Sequence, residues 1–265
     1  MVGSIHIMGI VNLTEDSFYA ASRTALRDVY TRVASLLEQG ADVIDLGACS
    51  TRPGAWQPGP EEEWARLEPA LKALKQDFPS LQISVDTYRA SMAERCFDAV
   101  GPYLVNDISA GTLDQDMLQL VGRLGLPYVA MHMRGTPQTM AGLTDYPTDI
   151  TSAVLSFFEE FGHQAAQYGI RDWILDPGFG FAKTLDQNYE LLRHMHRLQA
   201  LGRPILAGVS RKSMIYKLLG ITPEEALPGT QVVHLAALQQ GATWLRVHDV
   251  AAAVQTARIF NKLES

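Results

Sequence analysis

The chain has 265 residues, of which 47% are hydrophobic and 19% charged. A globular chain of this length buries about three-quarters of the surface its unfolded form exposes, so one large core is within reach. Lys and Arg total 22 against 29 Asp and Glu, a formal charge of −7, which argues against the nucleic-acid backbone as a partner. Two cysteines, Cys49 and Cys96, are too few for a disulfide framework or a cysteine-rich metal site. The first residues lack the basic region and cleavage site of a secretory signal, and no apolar run approaches the roughly 18 residues of a membrane span. The expectation is a cytoplasmic protein, folded as one domain over residues 1–265, with neither membrane nor nucleic acid as partner.

Short apolar runs of strand length fall at 5–11, 43–46, 82–85, 103–105, 128–131, 173–175, 204–209 and 244–247. Between most of them the periodicity turns helical. Leu26, Val29, Val33, Leu36 and Leu37 share a face that ends at Gly40, where a C-terminal cap belongs. Segment 61–76 opens on three glutamates after Pro60, suited to a helix N-terminus, and Pro69 predicts a kink or a later start. Leu113, Met117, Leu120, Val121 and Leu124 lead to Gly125, and Ile150, Val154, Phe157, Phe158 and Phe161 lead towards Gly169. His194 and His196 fall on a predicted helix over 185–201, where their offset places them on different faces rather than on one metal. Eight strands alternating with helices read as parallel βαβ units. A closed α/β barrel, the (β/α)8 or TIM barrel, fits better than an open sheet, because Gly9 stands alone where a dinucleotide-binding sheet carries a glycine-rich fingerprint.

In such a barrel the chemistry sits at the C-terminal ends of the strands. Those positions here hold Asn12, Asp45, Asp86, Asn106 with Asp107, His132, Asp176, Ser210 with Arg211 and Lys212, then Arg246, His248 and Asp249. A single Asp or Asn there has a plain reading as a turn residue or helix cap, but polar groups on every strand converge on one rim. Asp86, Asn106 and Asp176 are acceptors that suit the N–H edge of a planar heterocycle. Arg52, Arg211, Lys212, Arg246 and His248 suit a phosphate or diphosphate, with surface charge the plain reading for Arg211. Asn12 with an Mg2+ ion would complete the neutralisation. His132 reads equally as pocket wall or core, while Cys49, Met131 and Met133 read as packing.

The segments around these positions resemble the dihydropteroate synthases of folate biosynthesis. The resemblance is carried by Ile10-Val11-Asn12-Leu13-Thr14-Glu15-Asp16-Ser17-Phe18, Ser50-Thr51-Arg52-Pro53-Gly54, Ser84-Val85-Asp86-Thr87 and Asn106-Asp107-Ile108-Ser109. It continues through Met131-His132-Met133-Arg134-Gly135-Thr136-Pro137, Asp176-Pro177-Gly178-Phe179-Gly180-Phe181, Ser210-Arg211-Lys212-Ser213 and Arg246-Val247-His248-Asp249. Eight motifs in family order are specific where one would be weak.

The resemblance implies a homodimeric barrel that joins 6-hydroxymethyl-7,8-dihydropterin diphosphate to p-aminobenzoate, and it implies a sulfonamide target. It implies that Asp86, Asn106, Asp176, Lys212 and Arg246 bind the pterin, and that Thr51, Arg52, Pro53, Phe181 and Ser213 bind p-aminobenzoate. Asn12, Arg52, Arg246 and His248 would hold the diphosphate, Asn12 the Mg2+, and Asp16 and Lys212 would join the catalytic set. The chain departs from the family pattern at Glu15, Ala20, Cys49, Ala141 and Ala182. Ala20 stands where an acidic loop residue is usual, which leaves a second reading, a pterin-binding protein without turnover. A third, a pterin-dependent methyltransferase working with a corrinoid partner, is opposed by the Ser-Thr-Arg-Pro and Ser-Arg-Lys segments.

Overall fold

The structure, a computed structural model, describes residues 4–13, 23–49 and 58–265. Asp16, Thr51, Arg52 and Pro53, like Glu15 and Ala20, lie outside the described residues. The elements run β1 (His6–Asn12), α1 (Arg23–Glu38), β2 (Val43–Gly47), α2 (Pro60–Asp77), β3 (Gln82–Asp86), α3 (Ala90–Val100), β4 (Leu104–Asp107), α4 (Met117–Leu124) and β5 (Tyr128–Met131). They continue with α5 (Ile150–Gln167), β6 (Trp173–Asp176), α6 (Leu185–His194), β7 (Leu206–Ala207), α7 (Ser213–Leu219), α8 (Leu227–Gln239), β8 (Trp244–Val247) and α9 (Val250–Leu263). All eight strands pair in parallel in the order β6-β5-β4-β3-β2-β1-β8-β7. The bridge between Leu175 and Ile205 closes β6 onto β7, so the sheet is the expected barrel.

The strand pattern explains both layers of the core. Alternate residues on a strand face opposite sides. One set, including Val11, Ile44, Val85, Val105, Tyr128 and Leu175, packs outward under the helices in the main cluster. The other set meets inside the barrel, where Met8, Val43, Leu104, Val129, Ile174 and Leu206 form a separate apolar plug backed by Trp244. His6 stacks on Trp244 at 4.5 Å between ring centroids. On four strands the inward position two residues further along changes character: Val43 is followed by Asp45, Leu104 by Asn106, Ile174 by Asp176, and Trp244 by Arg246, while Met8 and Val129 are followed by Ile10 and Met131. The floor of the site is therefore apolar and its walls are polar, on the same rigid strands.

Three elements differ from their predicted form. The helix predicted over 185–201 is α-helical only to His194 and tightens to a 3-10 helix over Met195–Leu201. That tightening brings the His194 and His196 rings to 6.4 Å, and His196 Nδ1 lies 2.7 Å from Gln240 Oε1. No group of three or more potential ligands sits there or elsewhere among the described residues. The seventh strand, expected over 204–209, is only Leu206–Ala207, with two residues in register with β8. Pro69 neither delays nor ends α2, which starts at Pro60. The carbonyl left without a donor by Pro69 is that of Ala65, an exposed residue, so water can take its place. Among the described residues, no helix is long and apolar enough to cross a membrane.

His234, on α8, is 2% exposed, and neither ring nitrogen has a partner. Burial pushes its pKa down to about 4, with Asp249 opposing weakly. An unfolded chain protonates this ring below the ordinary value near 6.5, and the folded chain does not until about 4. Stability is therefore undiminished above pH 6.5 and falls as the pH drops towards 4, by about 2 kcal/mol at pH 5 from this ring. Urea unfolding at pH 7 and pH 5 should show a change in stability that differs by about this amount between the wild type and His234→Leu, the wild type losing more at pH 5.

Candidate active site

The polar layer above the plug is organised by one guanidinium. Arg246, at the inward position of β8, donates from Nε to Asp45 Oδ2 at 2.7 Å and from Nη2 to Asp86 Oδ2 at 2.8 Å. Asp45, with its side chain fully buried, also accepts from Ser84 Oγ at 2.6 Å and from Asn106 Nδ2 at 3.1 Å. Strand register makes this possible. Asn12, Gly47, Asp86 and Asn106 are successive partners across β1, β2, β3 and β4, and Asp45 pairs with Ser84 two residues below Gly47. Parallel strands in this register bring their inward side chains to one level.

Burial opposes the charges of Asp86, Arg246, Asp176 and Lys212. It raises the pKa of Asp86 to about 7, against the attraction of Arg246 and with the help of Asp45. Burial also works against the charge of Arg246, but Asp45 and Asp86 outweigh it and hold that pKa above the ordinary value. Asp176 is raised by burial, with Lys212 opposing, and its Oδ1 accepts from Gly178 N at 2.8 Å. Lys212 is pushed down to about 8 by burial, with Asp176 opposing. Its Nζ donates to Phe179 O at 2.6 Å and stands 4.8 Å from the centre of the Phe181 ring.

Asp176 and Lys212 face the same gap across Gly208. A side chain there would start with a Cβ 3.7 Å from Asp176 Oδ2 and 3.7 Å from Lys212 Nζ. Glycine leaves the space between them open. Gly47 does the same one wall over, where a Cβ would stand 3.5 Å from Asp86 Cβ and 3.7 Å from Asn12 Oδ1. Asn12, Asp86, Asn106, Asp176, Lys212 and Arg246 thus line one mouth, with Phe181 over Lys212. Ser213, at the start of α7, lines a neighbouring cavity of about 350 Å³ with Gly180, Lys183 and Met140.

Other strand-end residues serve the frame. Asp107 accepts from Ser109 N at 2.7 Å, Gly111 N at 2.8 Å and Tyr128 Oη at 2.6 Å, which closes the loop after β4. Arg211 forks onto Asp249 at 2.7 and 3.0 Å and donates to the carbonyls of Pro223 and Glu224. It is thus committed to structure rather than to an anion. His248 has its Nδ1 3.1 Å from Ser210 Oγ. Burial, then Arg246, push its pKa down to about 4, so it brings a neutral imidazole to the rim. His132 is buried with Nδ1 2.9 Å from Lys183 Nζ, and burial pushes its pKa down to about 2.

Sequence reasoning did not carry Asp45 into the site and did not mark Lys183. Asp45 is two residues beyond a plug residue, as Asn106 and Asp176 are, and that shared spacing was the available signal. Lys183 is bonded to two carbonyls and one imidazole, partners that leave no charge pattern in the sequence.

A protein-family model described as pterin binding enzyme matches residues 8–248. A dihydropteroate synthase from Synechocystis is 40% identical over 262 residues, covering 97% of this chain and 90% of that protein. A folic acid synthesis protein of Pneumocystis carinii is 42% identical over 252 residues, and the chain spans only 34% of its length. Among solved structures, a dihydropteroate synthase from Xanthomonas albilineans with 4-aminobenzoic acid has a TM-score of 0.89 and 37% identity, covering 99% of this chain and 94% of that one. One from Clostridium difficile, determined in the presence of pteroic acid, has a TM-score of 0.91 and 35% identity, covering 98% and 97%. By a likeness that runs through nearly all of its sequence and fold, the chain belongs to the pterin-binding enzymes and, within them, to the dihydropteroate synthases.

Proposed function

We propose that the chain joins 6-hydroxymethyl-7,8-dihydropterin diphosphate to p-aminobenzoate, giving 7,8-dihydropteroate and pyrophosphate. The observation that carries this reading is the gap at Gly208, faced by Asp176 and Lys212 and flanked by the Asp86, Asn106 and Arg246 wall. An amino-pyrimidinone edge offers adjacent N–H donors, and a buried carboxylate such as Asp176 needs them. Each charged hydrogen bond of this kind contributes about 1.5–3 kcal/mol. Asp86, Asn106 and Lys212 complete the pterin site, and Arg246 lays its planar guanidinium along the ring while Asp45 and Asp86 hold it still.

The reaction breaks the bond between the exocyclic methylene carbon and the diphosphate oxygen, and the electron pair leaves with the diphosphate. The electron-rich dihydropterin delocalises the cation that remains. The aniline nitrogen attacks that carbon and loses a proton, so no enzyme nucleophile is needed. Arg246 and His248 attend the leaving group with Asn12; Arg52, which the resemblance also gives to the diphosphate, lies outside the described residues, as does Asp16. His248 meets the diphosphate as a neutral imidazole, and the arriving negative charge raises its proton affinity. Phe181 walls the p-aminobenzoate ring and Ser213 takes its carboxylate; Thr51, Arg52 and Pro53, which the resemblance gives to the same substrate, lie outside the described residues. The protein supplies orientation and fixed charge.

Asn12 fits an Mg2+ ion. It offers one neutral oxygen beside Asp86 at the rim, and Mg2+ takes few protein ligands when substrate phosphates and water provide the rest. When bound, the ion would neutralise diphosphate charge. A cytoplasmic homodimer belongs to the same reading. Its support is α8, which is apolar on both faces, with Val233, Ala237 and Leu238 buried and Val232 69% exposed. Leu218, Leu219 and Ile259 are exposed on the adjoining α7 and α9, and a helix apolar all round calls for cover on both sides.

Pyrophosphate release should depend on p-aminobenzoate when the chain is given the pterin diphosphate and Mg2+, and dihydropteroate should accumulate. Tight pterin binding without release would mark a binding protein instead and turn attention to Ala20. Asp176→Ala should weaken pterin binding about 100-fold or more, the loss of two charged hydrogen bonds. Calorimetry showing unchanged affinity would remove Asp176 from the pocket. Sedimentation should report a dimer, and Val232→Glu should shift it to monomer without lowering the helix content.

A further inference from the structure

The loop after β6 turns sharply, with Gly178, Gly180 and Ala182 at φ of +70°, +83° and +48°. Left-handed residues alternating with ordinary ones swing successive carbonyls to one side. Those of Gly178 and Phe181 converge on Lys183 Nζ at 2.9 and 3.0 Å, and His132 Nδ1 completes the set at 2.9 Å. Three acceptors thus surround Nζ and match the three donors of its charged form, which burial disfavours, pushing its pKa down to about 7. The loop also rests directly on the end of β5, since a Cβ at Gly178 would stand 2.0 Å from His132 O. Its other polar groups are tied as well: Gly180 N donates to Asn188 Oδ1 at 2.6 Å, and Tyr146 Oη to Ala182 O at 2.9 Å.

This loop carries Phe181 and presents the Phe179 carbonyl that receives Lys212. Lys183 itself is 8% exposed, is bonded only within this frame, and takes no part in the chemistry described above. We propose that Lys183 is a positioning residue of the reaction: bonded to Gly178 O, Phe181 O and His132, it fixes Phe181 where the p-aminobenzoate ring must lie. The inference rests on the p-aminobenzoate role given to Phe181. Burial keeps the His132 ring neutral, so its Nδ1 remains available as an acceptor. Asp86 and Asn106 stand on β3 and β4 away from this loop, whereas Asp176 and Lys212 meet it through Gly178 N and the Phe179 carbonyl.

The consequence is a split between substrates. Lys183→Met should raise the KM for p-aminobenzoate about tenfold or more, as a displaced positioning group does, and raise the Kd for the pterin diphosphate by a clearly smaller factor, through Asp176 and Lys212. A second pair tests the same bond from the other end, in case Lys183→Met does not fold. His132→Asn keeps an acceptor at the Nδ1 position and should retain the wild-type KM, whereas His132→Leu should raise it as Lys183→Met does. A purely structural Lys183 would lower Tm and the active fraction, reducing kcat with both KM values unchanged; that result, or equal KM values for His132→Asn and His132→Leu, overturns the inference. A wild-type chain without p-aminobenzoate-dependent turnover overturns the functional reading itself, and this inference with it.

Discussion

Arg246 holds a positive charge inside the barrel, 21% exposed, and the mouth of the fold is arranged around keeping it there. Removing such a charge from water costs several kcal/mol, and opposite charges compensate only when geometry and hydrogen bonds are good. Here two carboxylates from neighbouring strands supply both, and Asp45 is in turn held by Ser84 and Asn106. One ion cluster therefore joins β8 to β2, β3 and β4 at the level where the apolar plug ends. Removing one member of such a buried cluster typically costs about 3–5 kcal/mol, because its partner is left uncompensated. Well-packed apolar residues would serve stability as well or better. The cluster makes sense as the support of a site.

The same desolvation that endangers the cluster prepares it for a ligand. Asp86 is drawn up to about 7 and Lys212 down to about 8, while Asp176 is raised, each chiefly by burial. These groups have given up water without full replacement, so a heterocycle bearing N–H donors supplies what they lack. The apolar floor excludes water and strengthens each contact. Glycine at 208 and at 47 completes the design by subtraction, leaving room for a flat molecule between charged walls.

The strands and most of the rim were legible because a barrel strand writes its function in alternation. Val43 and Asp45, Leu104 and Asn106, Ile174 and Asp176, and Trp244 and Arg246 each put an apolar floor residue two positions before a polar wall residue. That period identifies the polar group but not its job. Asp45 and Asp86 look alike in sequence, yet the first is fully buried under Arg246 while the second keeps 12% exposure at the mouth. Arg211 and Arg246 also look alike, yet one forks onto Asp249 at the periphery and the other enters the barrel. Burial depth decides between them, and depth depends on register and stagger across strands distant in sequence. Lys183 was illegible for a different reason, since backbone carbonyls are partners that any sequence provides.

Cys49 shows how a departure from the family pattern is absorbed at the edge of the site. The resemblance implies a glutamate at this position; Cys49 instead stands next to Arg89, whose guanidinium needs a carboxylate because burial works against its charge. Glu63, fully buried on α2, provides that carboxylate and accepts from Thr87 Oγ1 at 2.7 Å as well. Arg89 then reaches Cys49 Sγ at 3.7 Å and Pro58 O at 2.8 Å, touching both flanks of segment 50–57. The thiol itself is pushed up to about 12, first by burial and then by Glu63, so it is unreactive at neutral pH and serves as a small packing group. A carboxylate at position 49 would face Glu63 across the same guanidinium and repel it. With the acid on the helix, the position beside the segment is free to be small. The charge balance around Arg89 is kept while the residue that meets the segment has changed.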